Sequence, residues 1–209
     1  MKQYAVEIHV YNFRFRSIIK MFNSDFVGLV HLWCRFMGRG NIHLYTGSGE
    51  GKSLTAFGLA LRAVGHGYKV VIIQFLKGRK DVGEYKIKDR LSPEYEIYQF
   101  GREEFIDLSK PTPIDYELAK MGLEFAWNAL KSRPRVLVLD EINLAVAAGL
   151  IKVEDVLSLI DTVPDETVVV LTGRNAPEKL IERADLVTEM VEVKHPFYIG
   201  IPARRGIEY

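Results

Sequence analysis

Thr46-Gly47-Ser48-Gly49-Glu50-Gly51-Lys52-Ser53 lies between a short apolar stretch, Asn41 to Tyr45, and a run of good helix formers, Lys52 to Val64, that carries Leu54, Ala56, Leu59, Ala60 and Leu61. The three glycines let the backbone turn successive N–H groups inward, which makes a nest for an anion. The helix after the loop adds the positive end of its dipole. Lys52 reaches phosphate oxygens as a point charge, and the Ser53 hydroxyl can ligate Mg²⁺. Two other readings are weaker. A dinucleotide fingerprint needs its third glycine later than Gly51, and an acidic residue at the end of the next strand, where this chain has Gln74-Phe75. A glycine-rich turn without a ligand leaves Lys-Ser directly after the third glycine unexplained.

The second signal is Val136-Leu137-Val138-Leu139-Asp140-Glu141, an apolar strand that ends in two carboxylates. In phosphate-loop proteins this strand lies beside the loop and its end faces the magnesium. Asp140 and Glu141 are therefore candidates to bind the cation directly or through water. Alone, a strand ending in Asp-Glu is often a capped turn, and its weight comes from being paired with the loop.

Gly65-His66-Gly67 stops the first helix. Lys69 to Phe75 is an apolar strand of the kind covered on both faces in a parallel sheet. A short helix ends near Leu91, Tyr95 to Phe100 is a strand, and Pro113 to Ser132 is a helix with Ile114, Leu118, Met121, Phe125 and Ala129 on one stripe. Arg135 to Asp140 is a strand, Val153 to Thr162 a helix, and Thr167 to Thr172 a strand. Pro177 opens a helix that ends near Ala184, Leu186 to Val193 is the last strand, and the tail from Lys194 is mostly loop. The alternation predicts a doubly wound α/β fold with a mainly parallel sheet.

The chain has 209 residues, 48% hydrophobic and 26% charged, with a net charge of +1. That fits one α/β domain with a peripheral extension, and it advertises neither nucleic acid nor a membrane surface as partner. Residues 1–40 hold six basic and two acidic residues, +4, against −3 for the rest. Residues 1–38 thus read as an extension to a domain at 39–209. In the extension Val6, Ile8 and Val10 alternate as a short strand and Ser24 to Phe36 can form a helix. Met21 or Met37 is an alternative start, and the competing expectation is an arm that covers an active site or a neighbouring subunit. Cys34 is the one cysteine, which allows no internal disulfide or metal cluster and suggests a reducing, cytoplasmic setting. The apolar run Phe26 to Cys34 is too short to span a bilayer and lacks a signal-peptide cleavage site.

Weaker signals each carry two readings. Arg62 reaches the nucleotide or pairs on the surface. Lys77, Arg79 and Lys80 hold phosphates or form a solvated loop. Thr172-Gly173-Arg174-Asn175 ends a strand on the ligand side of the sheet, yet Gly-Arg-Asn is also ordinary turn chemistry. His195 before Pro196 reads as structural, and Trp127 as core.

Taken together these residues resemble the P-loop corrinoid adenosyltransferases, which act on cob(I)alamin and cob(I)yrinic acid a,c-diamide. Their loop also has Thr at the position of Thr46. The resemblance runs through Ala56-Phe57-Gly58, Arg62 to Gly67, Gln74-Phe75-Leu76-Lys77-Gly78, Gly83-Glu84, Leu139 to Asn143, Leu171 to Arg174, Lys194-His195-Pro196 and Gly206 to Tyr209. It covers residues 39–209 and implies a single P-loop NTPase-like, RecA-like domain. It also implies that Co(I) of the corrinoid attacks the ribose C5′ of ATP and that triphosphate leaves. By the same resemblance Gly47, Ser48, Gly49, Glu50, Gly51, Lys52, Ser53, Leu54 and Arg62 bind the nucleotide. Ser53, Glu141 and Asp140 attend Mg²⁺, Lys52 and Glu141 are catalytic, and a homodimer and a flavoprotein reductant are expected. Because the nucleophile is the substrate's metal, no Ser-His or Cys-His pair is required. The chain departs from the family in three places. Phe100-Gly101-Arg102-Glu103-Glu104-Phe105 has no tryptophan in the corrinoid loop, Arg205 stands where Gln is frequent, and the extension is aromatic rather than polar. Other functions of the same loop are a small-molecule kinase or ATPase that releases ADP, and a non-catalytic nucleotide or corrinoid carrier.

Overall fold

The computed structural model describes residues 9–10, 13–14, 41–104 and 106–209. The chain divides into two units, Met1–Gly38 and Arg39–Tyr209. In the first, β1 (His9–Val10) pairs antiparallel with β2 (Phe13–Arg14). The expectations for Val6, Ile8, Ser24 to Phe36, Met21, Met37, Cys34, the covering arm and Phe105 lie outside the described residues.

In the second unit six strands form one sheet: β3 (Ile42–Thr46), β4 (Val70–Phe75), β5 (Tyr95–Phe100), β6 (Val136–Asp140), β7 (Val168–Thr172) and β8 (Leu186–Glu189). Their order is β5-β4-β6-β7-β3-β8 and every pair is parallel. The fold is the doubly wound α/β architecture expected, with an entirely parallel sheet. The strand that ends in Asp140 is not the neighbour of the strand that feeds the glycine loop, because β7 lies between them. Parallel strands put all their carboxyl ends on one edge, and there a crevice can form.

Along β4 the side chains alternate between two cores. Val71, Ile73 and Phe75 join Leu44, Leu139 and Leu171 on one face. Val70 and Ile72 join Val138 and Val170 on the other, where Ala56, Ala60 and Ala63 of α1 (Lys52–Val64) pack. Their spacing of four and three residues places three small side chains on one stripe, so α1 lies close to the sheet. Between β4 and β5 run α2 (Gly83–Lys86) and α3 (Lys88–Leu91), two short helices in place of the single one expected. The remaining helices are α4 (Pro113–Lys131), α5 (Ile142–Ala147), α6 (Val153–Ile160) and α7 (Glu178–Arg183).

The buried face of α4 differs from the expected stripe. Ile114 and Met121 are 42% and 47% exposed, while Ala119, Gly122, Leu123, Ala126 and Leu130 are buried. The reason is volume. A Cβ on Gly122 would stand 2.8 Å from Phe75 Cε1 and 3.1 Å from Phe100 Cβ, so these two side chains leave no room for a side chain at 122. The longer side chains wrap the edge instead, with the Phe125 ring 4.4 Å from that of Tyr98. Gly122→Ala is expected to lower stability by about 1–2 kcal/mol, the overpacking cost outweighing the gain in helix propensity. Urea unfolding checks it, and an unchanged or higher midpoint would refute the close approach.

Asp115 opens α4. Burial alone would raise its pKa, but the N–H and hydroxyl of Thr112 and the Arg102 guanidinium hold it below the usual carboxylate value. It thereby closes a capping box and fixes Arg102 beside the sheet edge.

Candidate nucleotide and cation site

The glycine loop joins β3 to α1 at the carboxyl edge of the sheet. Gly47 and Gly51 have φ of 99° and 105°, values that strain any residue with a Cβ. A Cβ on Gly47 would also collide with the Met190 carbonyl oxygen. The segment after β8 explains this approach. The last strand was expected to reach Val193, but it stops at Glu189. Residues 190–192 leave the sheet to lie along the loop: the Gly49 N–H donates to Met190 O at 2.7 Å, and the Glu192 N–H to Ser48 Oγ at 3.4 Å. His195, expected to be structural, has the loop as its partner. Its Nδ1 accepts from the Phe197 N–H, which leaves Nε2 to donate to Glu50 Oε1 at 2.7 Å.

Lys52 is 7% exposed, and its ammonium donates back to the Gly49 carbonyl. Burial, then the charge of Arg174, lowers its pKa. The Ser53 hydroxyl donates to Asp140 Oδ1 at 2.7 Å, so the loop and the end of β6 meet although their strands are not neighbours.

Asp140 is fully buried and fully engaged. Oδ1 accepts from Ser53 and from the Thr172 hydroxyl at 2.7 Å; Oδ2 accepts from Lys77 Nζ at 2.7 Å and Gln74 Nε2 at 3.1 Å. Burial would raise its pKa, but the Lys77 charge and these donors hold it low. Glu141 is different. Its backbone is left-handed, φ 64°, and pinned by its N–H donating to Thr172 Oγ1. Its Oε2 is buried with no hydrogen-bond partner among the described residues, and burial, to which the charge of Asp140 adds, raises its pKa. Such an oxygen is a candidate ligand for a hard cation.

Two cavities adjoin here. One of about 960 Å³ is walled by the loop from Gly49 to Ser53, by Leu54, Phe57 and Leu61, and by Arg174. The other, of about 510 Å³, is walled by Gln74, Arg79, Gln99, Arg102 and Glu103. Lys77, Glu141 and the closing residues Glu208 and Tyr209 belong to both walls.

Of the residues singled out from sequence, Gly49, Glu50, Gly51, Lys52, Ser53, Leu54 and Glu141 thus share one cavity, and Asp140 touches Ser53. Gly47 and Ser48 face residues 190–192 instead. Arg62 is exposed in the last turn of α1 and lines neither cavity. Of the three basic residues, Lys77 borders both cavities, Arg79 walls the smaller one while paired with Asp81, and Lys80 is exposed. Trp127 packs against the core. Gln74 and Thr172 donate to Asp140, and Asn143 Nδ2 donates to the Tyr45 and Gly173 carbonyls at 3.3 Å, roles that sequence reasoning does not assign. Gln74 has a signal, since an amide inside an apolar buried strand needs a partner.

A family model described as ATP:corrinoid adenosyltransferase BtuR/CobO/CobP matches residues 38–209. A corrinoid adenosyltransferase of Pseudomonas aeruginosa is 40% identical over 173 residues, 82% of this chain and 84% of that protein. One from Sinorhizobium is 39% identical over 174 residues, 82% and 81% of the two chains. One from Escherichia coli is 34% identical over 172 residues, 82% and 86%.

Proposed function

The chain belongs to the ATP:corrinoid adenosyltransferase family, and from that premise we propose that ATP is its adenosyl donor, that Co(I) of a corrinoid is the acceptor, and that inorganic triphosphate is the leaving group. The observation that supports the proposal is that two cavities adjoin at Lys77 and Glu141, one walled by the glycine loop and able to take a polyphosphate, the other available to a second ligand. Co(I) supplies the electron pair of the new cobalt–carbon bond, and the C5′–O pair departs with the triphosphate. The chain's own task is alignment and charge stabilisation. The loop amides and Lys52 hold phosphate oxygens; Leu54, Phe57 and Leu61 offer an apolar wall to the nucleoside. Ser53, Asp140 and Glu141 fit Mg²⁺, the unpartnered Glu141 Oε2 being the sign of it. When bound, the ion would neutralise charge on the triphosphate. The proposal includes a homodimer, a flavoprotein as electron source, and cobalamin synthesis or salvage in a reducing, cytoplasmic setting. Among the described residues no helix is long and apolar enough to cross a membrane.

Anaerobic incubation with ATP, Mg²⁺ and chemically reduced cobalamin is expected to give the absorbance of a new cobalt–carbon bond and one triphosphate per bond formed. ADP or orthophosphate as the product would place the chain with phosphoryl-transfer enzymes instead.

A further inference from the structure

The Lys77 ammonium lies 2.7 Å from Asp140 Oδ2, 3.3 Å from Ser53 Oγ and 3.9 Å from Glu141 Oε1. A tethered monovalent cation stands where the donor set calls for a divalent one. On the reading that Ser53, Asp140 and Glu141 bind Mg²⁺, we propose that Lys77 is the resident counter-ion of the cation seat. It fills the seat while nucleotide is absent and withdraws when a divalent ion enters, so that the metal arrives with the polyphosphate and not alone.

Electrostatics gives the reason for such a group. Asp140 is completely buried beside Glu141, and two adjacent carboxylates without a cation would not both stay ionised. Of the other three partners of Asp140, Ser53 belongs to the seat itself, while Thr172 and Gln74 are neutral donors that keep its carboxylate in place whether or not Lys77 is bound. The movement open to Lys77 is of the side chain. A Cβ on Gly78 would meet Gly101 O at 2.5 Å and one on Gly101 would collide with Lys77 N, so the backbone on both sides is packed against its neighbour. The side chain, by contrast, is 32% exposed and borders both cavities, one of which would hold the triphosphate. An ammonium released there meets new negative charge.

The test uses Mn²⁺, a paramagnetic substitute for Mg²⁺, titrated into the nucleotide-free full chain and monitored by electron paramagnetic resonance. Lys77→Gln is expected to bind Mn²⁺ alone at least about tenfold more tightly than wild type, while Lys77→Arg, which keeps the charge, stays within about twofold of wild type. Lys77→Met is a second neutral variant should the first fold poorly, and the thermal midpoint of either neutral variant should rise with Mn²⁺ more than that of wild type. Equal Mn²⁺ affinity in wild type and the neutral variants would overturn the proposal, as would Lys77→Arg binding like Lys77→Gln. If Mn²⁺ bound with ATP is indifferent to Glu141→Gln, the cation seat itself is wrong and both readings fall.

Discussion

Lys52→Ala is expected to cut the rate of adenosyl transfer at saturating substrates by about a thousandfold or more, which is roughly 4 kcal/mol of lost stabilisation at ~1.4 kcal/mol per decade. The size comes from where the ammonium sits. It is 7% exposed, at the first residue of α1, held against the Gly49 carbonyl inside a loop whose conformation is set by two positive-φ glycines. In the proposed reaction a charge so placed acts in a site partly closed to water, on a leaving group that gains negative charge as the C5′–O bond breaks. The folded protein itself has little need of it. Burial lowers the Lys52 pKa, so the protein bears a cost for keeping it charged. The thermal midpoint should therefore hold or rise in Lys52→Ala while turnover collapses. Arginine should not rescue the rate, because a planar guanidinium cannot substitute for a compact ammonium in a loop of this size. Single-turnover formation of the cobalt–carbon bond is the measurement. Wild-type rates in the alanine variant would remove Lys52 from the chemistry.

The parts legible in the sequence are those where local pattern and tertiary role agree. Tyr95–Phe100 and Lys52–Val64 match their expected bounds to the residue, because the strand formers Tyr95, Ile97, Tyr98 and Phe100 lie between Pro93 and Gly101, and the helix formers of the other segment between Gly51 and Gly65. The face of α4 is not legible. Ile114-Leu118-Met121-Phe125 and Ala119-Leu123-Ala126-Leu130 both have helical spacing, and only the bulk of Phe75 and Phe100 across the interface decides between them. The end of β8 escapes the sequence because Val191 and Val193 continue a strand-like pattern that the glycine loop interrupts by capturing the Met190 carbonyl. α5 escapes it too, because Ile142-Asn143-Leu144-Ala145-Val146-Ala147 is too short for periodicity to separate helix from loop. In the candidate site, motif spacing singles out Lys52, Ser53, Asp140 and Glu141, which the fold brings together. It cannot reveal that Asp140 is saturated by four donors while Glu141 is not, since Thr172, Gln74 and Lys77 come from two other strand ends.

That division of labour between the two carboxylates makes Glu141→Gln the second large effect. The Mg²⁺ concentration for half-maximal activity should rise by about tenfold or more, and the rate at saturating Mg²⁺ should fall by about a hundredfold, as expected when an anionic oxygen is withdrawn from a hard cation. Glutamine keeps the shape, the pinned backbone and the contact with the Thr172 hydroxyl, so the loss reports charge alone. The pH dependence carries a sign that a structural role would not give. Burial, with Asp140 adding to it, raises the Glu141 pKa, so in the free enzyme its proton is retained above the ordinary carboxylate range. If Glu141 is a ligand as proposed, metal must displace that proton, and Mg²⁺ affinity in wild type should weaken as pH falls into this raised range, while the glutamine variant stays flat there. Stability should move the opposite way. In the window between the unfolded and the raised folded pKa the native state binds the extra proton, so Glu141 lowers stability as pH rises through it. At neutral pH the glutamine variant, free of a buried and incompletely partnered carboxylate, should unfold at a higher temperature in the absence of metal than wild type does. A variant both less active and less stable, with an unchanged Mg²⁺ titration, would mean that Glu141 is a helix-capping residue of the fold and that the cation is held elsewhere.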